Sequence, residues 1–401
     1  MAHGMELTFN GYPTINLEGW LAIMPIGGRA HTTGTSANTP GRVSYSMSYS
    51  MPYKSGATIT ATGGANSHGG QTSDTRVPTV TATSVGSSSA SITYQPEGSR
   101  ADFLYTGSVA FATADQRHLS DNSGYGIFTN NNGVSTVLNN QTPPMIVRYR
   151  DERNVSANYT GIVKFSPPEL NKNLHTNFAT TVYVGCRNNE AACHAFLFPK
   201  DGDSFASGAD VYVRFFSASQ GHGSRIENYG GNAATKVYCL VADVNNAPAP
   251  SGHGIAIYNS SGALTMSDDA VPVLCKGVVN SFKMPYNYNG VTSFPYPTLP
   301  VSGLSGNLTS SDTFLFQVGT NLRGGYMYVT SVGAFTFGDA GQMVSYVSGS
   351  NVRTSMVITN KDQVVSAGAV GWKHHQNDTP FLNTSVPLLV VRGEDYFTSL
   401  S

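Results

Sequence analysis

Charged residues are scarce in this chain. Asp, Glu, Lys and Arg make up 12% of its 401 residues, which is about half of the usual share. The formal net charge is −1, and no basic patch is present that would follow a phosphate backbone. The sequence therefore predicts no nucleic-acid partner.

Long apolar runs are also missing. None reaches the roughly eighteen residues that a membrane-spanning helix needs, so no membrane insertion is expected. The opening MAHGMELTFNG (1–11) has no basic start followed by an apolar run. This predicts that no secretory signal is present and that the chain folds in a cytoplasm.

Cysteine is rare, with 4 residues in the chain, too few for a disulfide framework at this length. Cys186 and Cys193 flank a short polar turn in TVYVGCRNNEAACHAFLF (181–198). If Asn188 to Ala191 form the loop of a hairpin, the two thiols face each other across it. Three states stay open: a reduced cross-strand pair, a disulfide formed after release, or metal ligands with His194, although C-x6-C-H is no established metal spacing.

Turn-forming and β-prone residues fill the chain instead. It contains 43 Gly together with abundant Ser, Thr and Asn, and runs of helix-favouring Ala, Leu, Glu and Lys are nearly absent. This composition predicts an all-β fold with many turns.

One stretch of the sequence is written twice. SGYGIFTNNNGVSTVLNNQTPPMI (123–146) returns as SGHGIAIYNSSGALTMSDDAVPVL (251–274). Two flanking blocks recur in the same order, since SVAFATAD (108–115) matches KVYCLVAD (236–243) and NYTGIVKFSPPEL (158–170) matches NYNGVTSFPYPTL (287–299). Three blocks in register indicate an internal duplication.

The repeated stretch reads as a β-hairpin. GIAIY is β-prone, NSSG is a turn, and ALTMS is the returning strand. In each copy a pair of glycines precedes the hairpin and another closes its turn, which marks them as structural repeat positions. These glycines are Gly124, Gly126, Gly133, Gly252, Gly254 and Gly262.

Further β-prone runs end each copy, beginning with TVYVG (181–185) in the first and TFLFQVG (313–319) in the second. Units of this size with turns at short spacing predict tandem β-sandwich, immunoglobulin-like modules that arose by internal duplication. The predicted segments are an N-terminal β module with a Ser/Thr/Gly-rich extended arm (1–100), sandwich repeat 1 (101–232), sandwich repeat 2 (233–349), and C-terminal hairpins that form a partial repeat (350–401).

No catalytic motif stands out. The chain has no G-x-S-x-G elbow, P-loop, Rossmann fingerprint, CxxC pair or HExxH. Asp201 with Asp203, or Asp268 with Asp269, have the chemistry for a Ca²⁺ ligand pair but read more simply as solvated turns. We therefore predict no enzyme activity, no cofactor and no metal.

One segment is a weak candidate for a binding site. GWKHHQND (371–378) combines Trp372 with His374 and His375. A loop that carries Trp and His suits contact with a sugar or a protein surface. A plain hairpin end explains the same residues equally well.

The form G-x-G-I-x-x-Y-N-x-x-G-x-L, followed by Asp and Pro-Val, resembles β-modules in tail proteins of long-tailed bacteriophages. The low charge and the opening MELTFNGYPTINLEGW (5–20) are similar in style to such proteins. The resemblance implies a virion component near the tail tip or fibre, assembled in the host cytoplasm, and it assigns no active-site residue.

The expected function is therefore structural, in assembly, host-surface contact or both. Expected partners are other tail proteins, a host outer-surface protein or glycan, and further copies of this chain in a symmetric assembly. Two alternatives stay open, a receptor-binding or lectin-like recognition protein and a polysaccharide-degrading tailspike-type enzyme. The enzyme would need two facing carboxylates in a groove.

Overall fold

Strands dominate the part of the chain that the computed structural model describes. The described residues are 6–16, 21–25, 30–33, 43–48, 58–68, 79–85, 89–95, 102–112, 126–131, 134–139, 144–173, 180–187, 191–200, 207–217, 225–226, 234–243, 248–251, 254–258, 261–275, 277–279, 282–283, 298–303, 312–317, 325–332, 335–348, 351–366, 383–384 and 388–400. Within them the helical elements are two 3-10 turns, Pro168–Leu170 and Gly393–Asp395. The strand-rich structure agrees with the predicted all-β class.

The strands are numbered in chain order. Their bounds are β1 Glu6–Leu7, β2 Ile15–Asn16, β3 Leu21–Pro25, β4 Ala30–Thr33, β5 Val43–Ser48, β6 Thr58–His68, β7 Thr79–Val85, β8 Ser89–Gln95, β9 Asp102–Ala112, β10 Gly126–Asn131, β11 Val134–Asn139, β12 Ile146–Val155, β13 Val163–Phe165, β14 Thr181–Cys186, β15 Ala191–Pro199, β16 Ala209–Ser217, β17 Arg225–Ile226, β18 Thr235–Asp243, β19 Ala256–Tyr258, β20 Leu264–Ser267, β21 Leu274–Cys275, β22 Gly277–Val279, β23 Phe282–Lys283, β24 Thr298–Gly303, β25 Phe314–Gln317, β26 Gly325–Val332, β27 Phe335–Ser348, β28 Asn351–Ser366, β29 Asn383–Thr384 and β30 Leu388–Arg392.

The largest sheet of described strands has the order β12-β18-β14-β25-β30-β22-β24-β28-β27-β26. It draws β12 and β14 from predicted segment 101–232, β18 and β25 from 233–349, and β28 and β30 from 350–401. The sheet thus continues across the predicted module boundaries, and the separation into tandem sandwiches stays a prediction.

One end of this sheet is buried on both faces. Strand β18 reads TKVYCLVAD and is apolar over most of its length, without the polar alternation of a half-exposed strand. Such a run is typical of a strand covered on both sides. Tyr238 and Leu240 point into one core, while Val237, Cys239 and Val241 point into another.

The core that contains Val237, Cys239 and Val241 is called core B. It fills the space between this sheet and the smaller sheet β13-β16-β15. Its buried members are Val155, Phe165, Leu170, Val182, Val184, Ala195, Ala209, Val211, Val213, Phe215, Val237, Cys239 and Val241. Two antiparallel layers with an apolar filling give this part of the molecule the architecture of a sandwich.

Core A lies on the opposite face of the same strands. It is covered by segment 6–16, by the hairpin β19–β20 with the residues that follow it, and by segment 393–400. Its buried members are Phe9, Ile15, Met145, Val147, Tyr183, Tyr238, Leu240, Ala242, Ile257, Met266, Val271, Val273, Leu274, Leu315, Val391, Tyr396 and Phe397. The described region around β18 therefore has three layers.

The Ser/Thr/Gly-rich arm of the N-terminal segment contains strands. β6 pairs antiparallel with β9, and β8 lies between β5 and β7. The alternation of Val and Thr in this arm predicts at least one strand, and strands β7 and β8 are present there.

Among the described residues, no helix is both apolar enough and long enough to span a membrane.

The predicted hairpin that joins Cys186 to Cys193 is wrong. β14 pairs with β18 and β25, whereas β15 pairs with β16, so the two cysteines lie in different sheets. The Cα partner of Cys186 is Val237 and that of Cys193 is Phe215. β14 and β15 are therefore not paired with each other but belong to the two layers that enclose core B.

Candidate functional site

The two copies of the repeated stretch pair with each other. Both copies form the predicted antiparallel hairpin, β10–β11 in the first and β19–β20 in the second. The residues after each hairpin then meet, since Val147 donates its N–H to the Val271 carbonyl oxygen at 2.8 Å and Val273 donates to that of Met145 at 2.8 Å. Ile146 faces Pro272 in an antiparallel bridge between these bonds.

A second pair of corresponding strands does the same. β14 and β25 pair antiparallel, with Val184 opposite Phe316. β14 follows the last matching block of the first copy, and β25 follows that of the second. β11 and β20, the returning strands of the two hairpins, also approach each other. Antiparallel pairing of corresponding segments is a local two-fold arrangement, so the repeats form one joint unit.

The last described residues close this unit over core A. The Tyr396 hydroxyl accepts a hydrogen bond from the Leu274 N–H at 2.8 Å and donates one to the Pro272 carbonyl oxygen at 3.1 Å. The Tyr396 side chain is fully buried. Next to it, the Phe397 ring packs on Tyr238 with 4.8 Å between ring centroids. The C-terminal segment is thereby fixed to the trailing strand of the second repeat.

Arg150 joins both ends of the described chain. Its guanidinium donates to the carbonyl oxygens of Tyr396 and Gly11. The same group lies 3.8 Å from the centre of the Tyr12 ring, in a cation–π contact. One side chain from β12 thus holds segment 6–16 and segment 393–400 on the same face of the sheet.

Substituting Arg150 with methionine should loosen both segments together. The variant keeps the aliphatic stem but loses charged hydrogen bonds to two carbonyl oxygens, which predicts a loss of about 2 kcal/mol in the free energy of unfolding. Urea denaturation measures the loss, and hydrogen exchange should show reduced protection in 6–16 and 393–400.

Arg153→Met is the matched control on the same strand. Arg153 is paired with Asp151 at 2.7 Å, but its side chain is 55% exposed. Exposed ion pairs contribute less than about 1 kcal/mol. Equal losses in the two variants would contradict the role assigned to Arg150.

Arg392, the last residue of β30, lies close to three carboxylates. Its Nε lies 2.8 Å from Asp312 and 3.4 Å from Glu394, and its Nη1 lies 3.5 Å from Asp395. Glu394 also accepts the Thr313 N–H at 2.8 Å. Desolvation by burial nevertheless raises the pKa of Glu394 above its ordinary value. The ionised form of Glu394 is therefore disfavoured in the folded protein.

This pKa direction predicts how stability changes with pH. A carboxyl whose pKa is higher in the folded state stabilises the fold as pH falls through the folded pKa toward the unfolded one. Glu394→Gln keeps the acceptor for Thr313 and removes the charge. The variant should unfold at a higher temperature than wild type at pH 7, and this difference should shrink as pH falls toward about 4.5. A difference that grows on acidification would contradict the assignment.

Some of the repeat glycines can be placed. Gly126 begins β10, and Gly254 lies beside the Asp268 carboxylate just before β19. Gly262 is in the turn of the second hairpin with φ +81° and nothing near its Cβ position, so its backbone angle requires glycine. Gly124, Gly133 and Gly252 lie outside the described residues.

Asp269 belongs to the turn after the second hairpin. Its carboxylate accepts the N–H of Ser251, and Asp268 donates its own N–H to the Ile255 carbonyl oxygen at 3.0 Å. Both aspartates lie in a turn, and Asp269 is exposed while Asp268 is partly buried. Among the described residues, no three His, Cys, Asp or Glu side chains converge as metal ligands.

Asp243 is a buried carboxylate at a position where both copies of the repeat carry Asp, the first copy at Asp115. Its carboxylate accepts Lys172 Nζ at 2.7 Å and Thr180 Oγ1 at 2.9 Å. A buried carboxylate needs such partners to offset its desolvation. The interaction connects the end of β18 to the segment before β14.

The second hairpin carries two large apolar side chains into solvent. Ile255 is 51% exposed and Tyr258 is 52% exposed. Ile255 comes just before β19 and Tyr258 ends that strand, while Ile257 between them packs in core A. This part of the hairpin is a candidate contact surface.

Sequence reasoning missed Arg150, Tyr396 and Arg392. A usable signal was present for the first of them, because RYRDER (148–153) is a dense charged run in a chain with little charge. The sequence-predicted Trp372, His374 and His375 lie outside the described residues. No family model, curated protein or solved structure matches this chain.

Proposed function

We propose that this chain is a structural component of a bacteriophage particle, at the distal tail as a tip or fibre protein. There it would mediate assembly and contact with the host surface. The observation that carries the proposal is the hairpin form G-x-G-I-x-x-Y-N-x-x-G-x-L of the second repeat copy, which resembles β-modules of long-tailed phages. The chain would assemble in the host cytoplasm with other tail proteins and further copies of itself.

The described architecture supports a mechanical role. Sheets buried on both faces resist bending because their side chains are close-packed on each side. Arg150 holds both ends of the described chain to that sheet, through the carbonyl oxygens of Gly11 and Tyr396. We further propose that the two layers around core B belong to an immunoglobulin-like sandwich.

Mass spectrometry of purified particles from the phage that encodes the chain tests this proposal. The copy number is measured relative to the major tail protein. A few copies in each particle are expected for a tip or fibre protein. Hundreds of copies would make it a tube or decoration protein, and absence from washed particles would overturn the virion role.

A recognition role has its own support in the exposed Ile255 and Tyr258 of the second hairpin. Exposed apolar and aromatic side chains are typical of contact surfaces. Particles that carry Ile255→Ser together with Tyr258→Ser should then bind host cells at least about tenfold more weakly, since each anchor residue of an interface contributes more than about 1 kcal/mol. Normal adsorption with normal incorporation would leave only the structural role.

A further inference from the structure

Cys186 and Cys193 come together from two different layers. Cys186 is the last residue of β14 in the large sheet, and Cys193 lies on β15 in the facing sheet. Both are partly buried and pack against the edge of core B. Six residues, 187–192, separate them in the sequence.

The two thiols are hydrogen-bonded to each other and are not joined by a disulfide. The hydrogen bond to Cys193, together with burial, raises the pKa of the Cys186 thiol well above its ordinary value. Both cysteines are free thiols. Cys239, the other cysteine whose side chain is described, is fully buried in core B and belongs to the packing of β18.

We propose that Cys186 and Cys193 form a redox site that closes to an intramolecular disulfide when the folded protein meets a small-molecule disulfide oxidant. The bond would tie the large sheet to the facing sheet across the edge of core B. A reducing cytoplasm keeps such a pair open, and an oxidising medium outside the cell closes it.

The chemistry is two thiol–disulfide exchanges. The Cys193 thiolate attacks one sulfur of the oxidant, which forms a mixed disulfide and releases the first small thiolate. The Cys186 thiol then loses its proton and attacks the Cys193 sulfur, which forms the protein disulfide and releases the second small thiolate. Two cysteine sulfurs are oxidised by one electron each, and one oxidant disulfide is reduced to two thiols.

The structure makes the second exchange the slow one. The thiolate is the attacking species, and the raised pKa of Cys186 leaves little of it at pH 7. Mixed disulfide should therefore accumulate at pH 7, and the rate of closure should rise steadily between pH 7 and pH 9. Two cysteines that do not meet would instead stay at the mixed disulfide at every pH, because no second thiol could resolve it.

The test treats the full chain, purified under reducing conditions, with oxidised glutathione. Intact-mass spectrometry should show a gain of one glutathione, then its loss, to leave a protein 2 mass units lighter, as expected for one disulfide. Peptide mapping should place the bond between Cys186 and Cys193. The thermal midpoint should rise by roughly 2 to 6 °C on closure and fall back on reduction.

Two single variants keep the proposal falsifiable. Cys186→Ser should stop at the glutathione adduct on Cys193, and Cys193→Ser should form no protein disulfide at these positions. The proposal is overturned if the native wild-type protein keeps both thiols after prolonged oxidation, or if the mapped bond joins either cysteine to Cys239 or Cys275.

Discussion

Replacing Tyr396 with alanine is expected to lower the free energy of unfolding by about 4 kcal/mol or more. Truncating a fully buried aromatic ring costs roughly 3 to 5 kcal/mol through lost burial and the cavity left behind. The loss is larger here because the hydroxyl also satisfies the Leu274 N–H and the Pro272 carbonyl in the interior. Urea denaturation followed by circular dichroism measures the change.

One companion variant separates the contribution of the Tyr396 hydroxyl from that of its ring, and a second is a control at an exposed tyrosine. Tyr396→Phe keeps the ring and leaves two buried backbone groups without their partner, so it should lose about 1 to 3 kcal/mol. Tyr258→Ala removes an exposed tyrosine, 52% accessible, and should stay within about 0.5 kcal/mol of wild type. The assigned role of Tyr396 fails if Tyr396→Ala is no more harmful than Tyr258→Ala.

The second large effect is expected at Gly185, where the two repeats meet through β14 and β25. A Cβ at this position would lie 2.2 Å from the carbonyl oxygen of Phe314 and 2.8 Å from a methyl carbon of Leu315. The oxygen belongs to the partner strand, so relief of the clash requires the two strands to separate. Gly185→Ala should lower the free energy of unfolding by about 3 kcal/mol.

Gly262→Ala is the matched control for that substitution. It adds the same methyl group in a turn where nothing lies within 4 Å, and the only penalty is the φ of +81°. A loss of about 1 kcal/mol is expected from the left-handed backbone angle. If Gly185→Ala lowers the free energy of unfolding no more than Gly262→Ala does, the close approach of β14 and β25 is not the reason that position 185 needs glycine.

Local features of the fold could be predicted from the sequence. Both hairpins of the repeat are present because Asn and Gly in their turns are flanked by β-prone runs, and turn chemistry acts over a few residues. The absence of polar alternation in β18 also carried usable information, since such a strand is covered on both sides. The all-β character follows from composition in the same way.

Strand partners could not be predicted, because pairing joins residues that are far apart in the chain. β18 enters between β12 and β14, and nothing local in TVYVGC distinguishes that arrangement from a hairpin with β15. The position of Cys186 was misjudged for this reason, although the two thiols still meet. Tyr396 could not be predicted from hydrophobic periodicity, because it lies just after a 3-10 turn and not in a strand. Its role depends on the hydrogen bonds of one hydroxyl.

The order of synthesis has a consequence for this sheet. β12 leaves the ribosome long before its neighbour β18, and Arg150 precedes its contact Tyr396 by 246 residues. At 5 to 20 residues per second, that interval corresponds to about 10 to 50 seconds of translation. During that interval the nascent chain holds apolar strands whose sheet partners have not yet been made, which exposes it to aggregation until synthesis is complete.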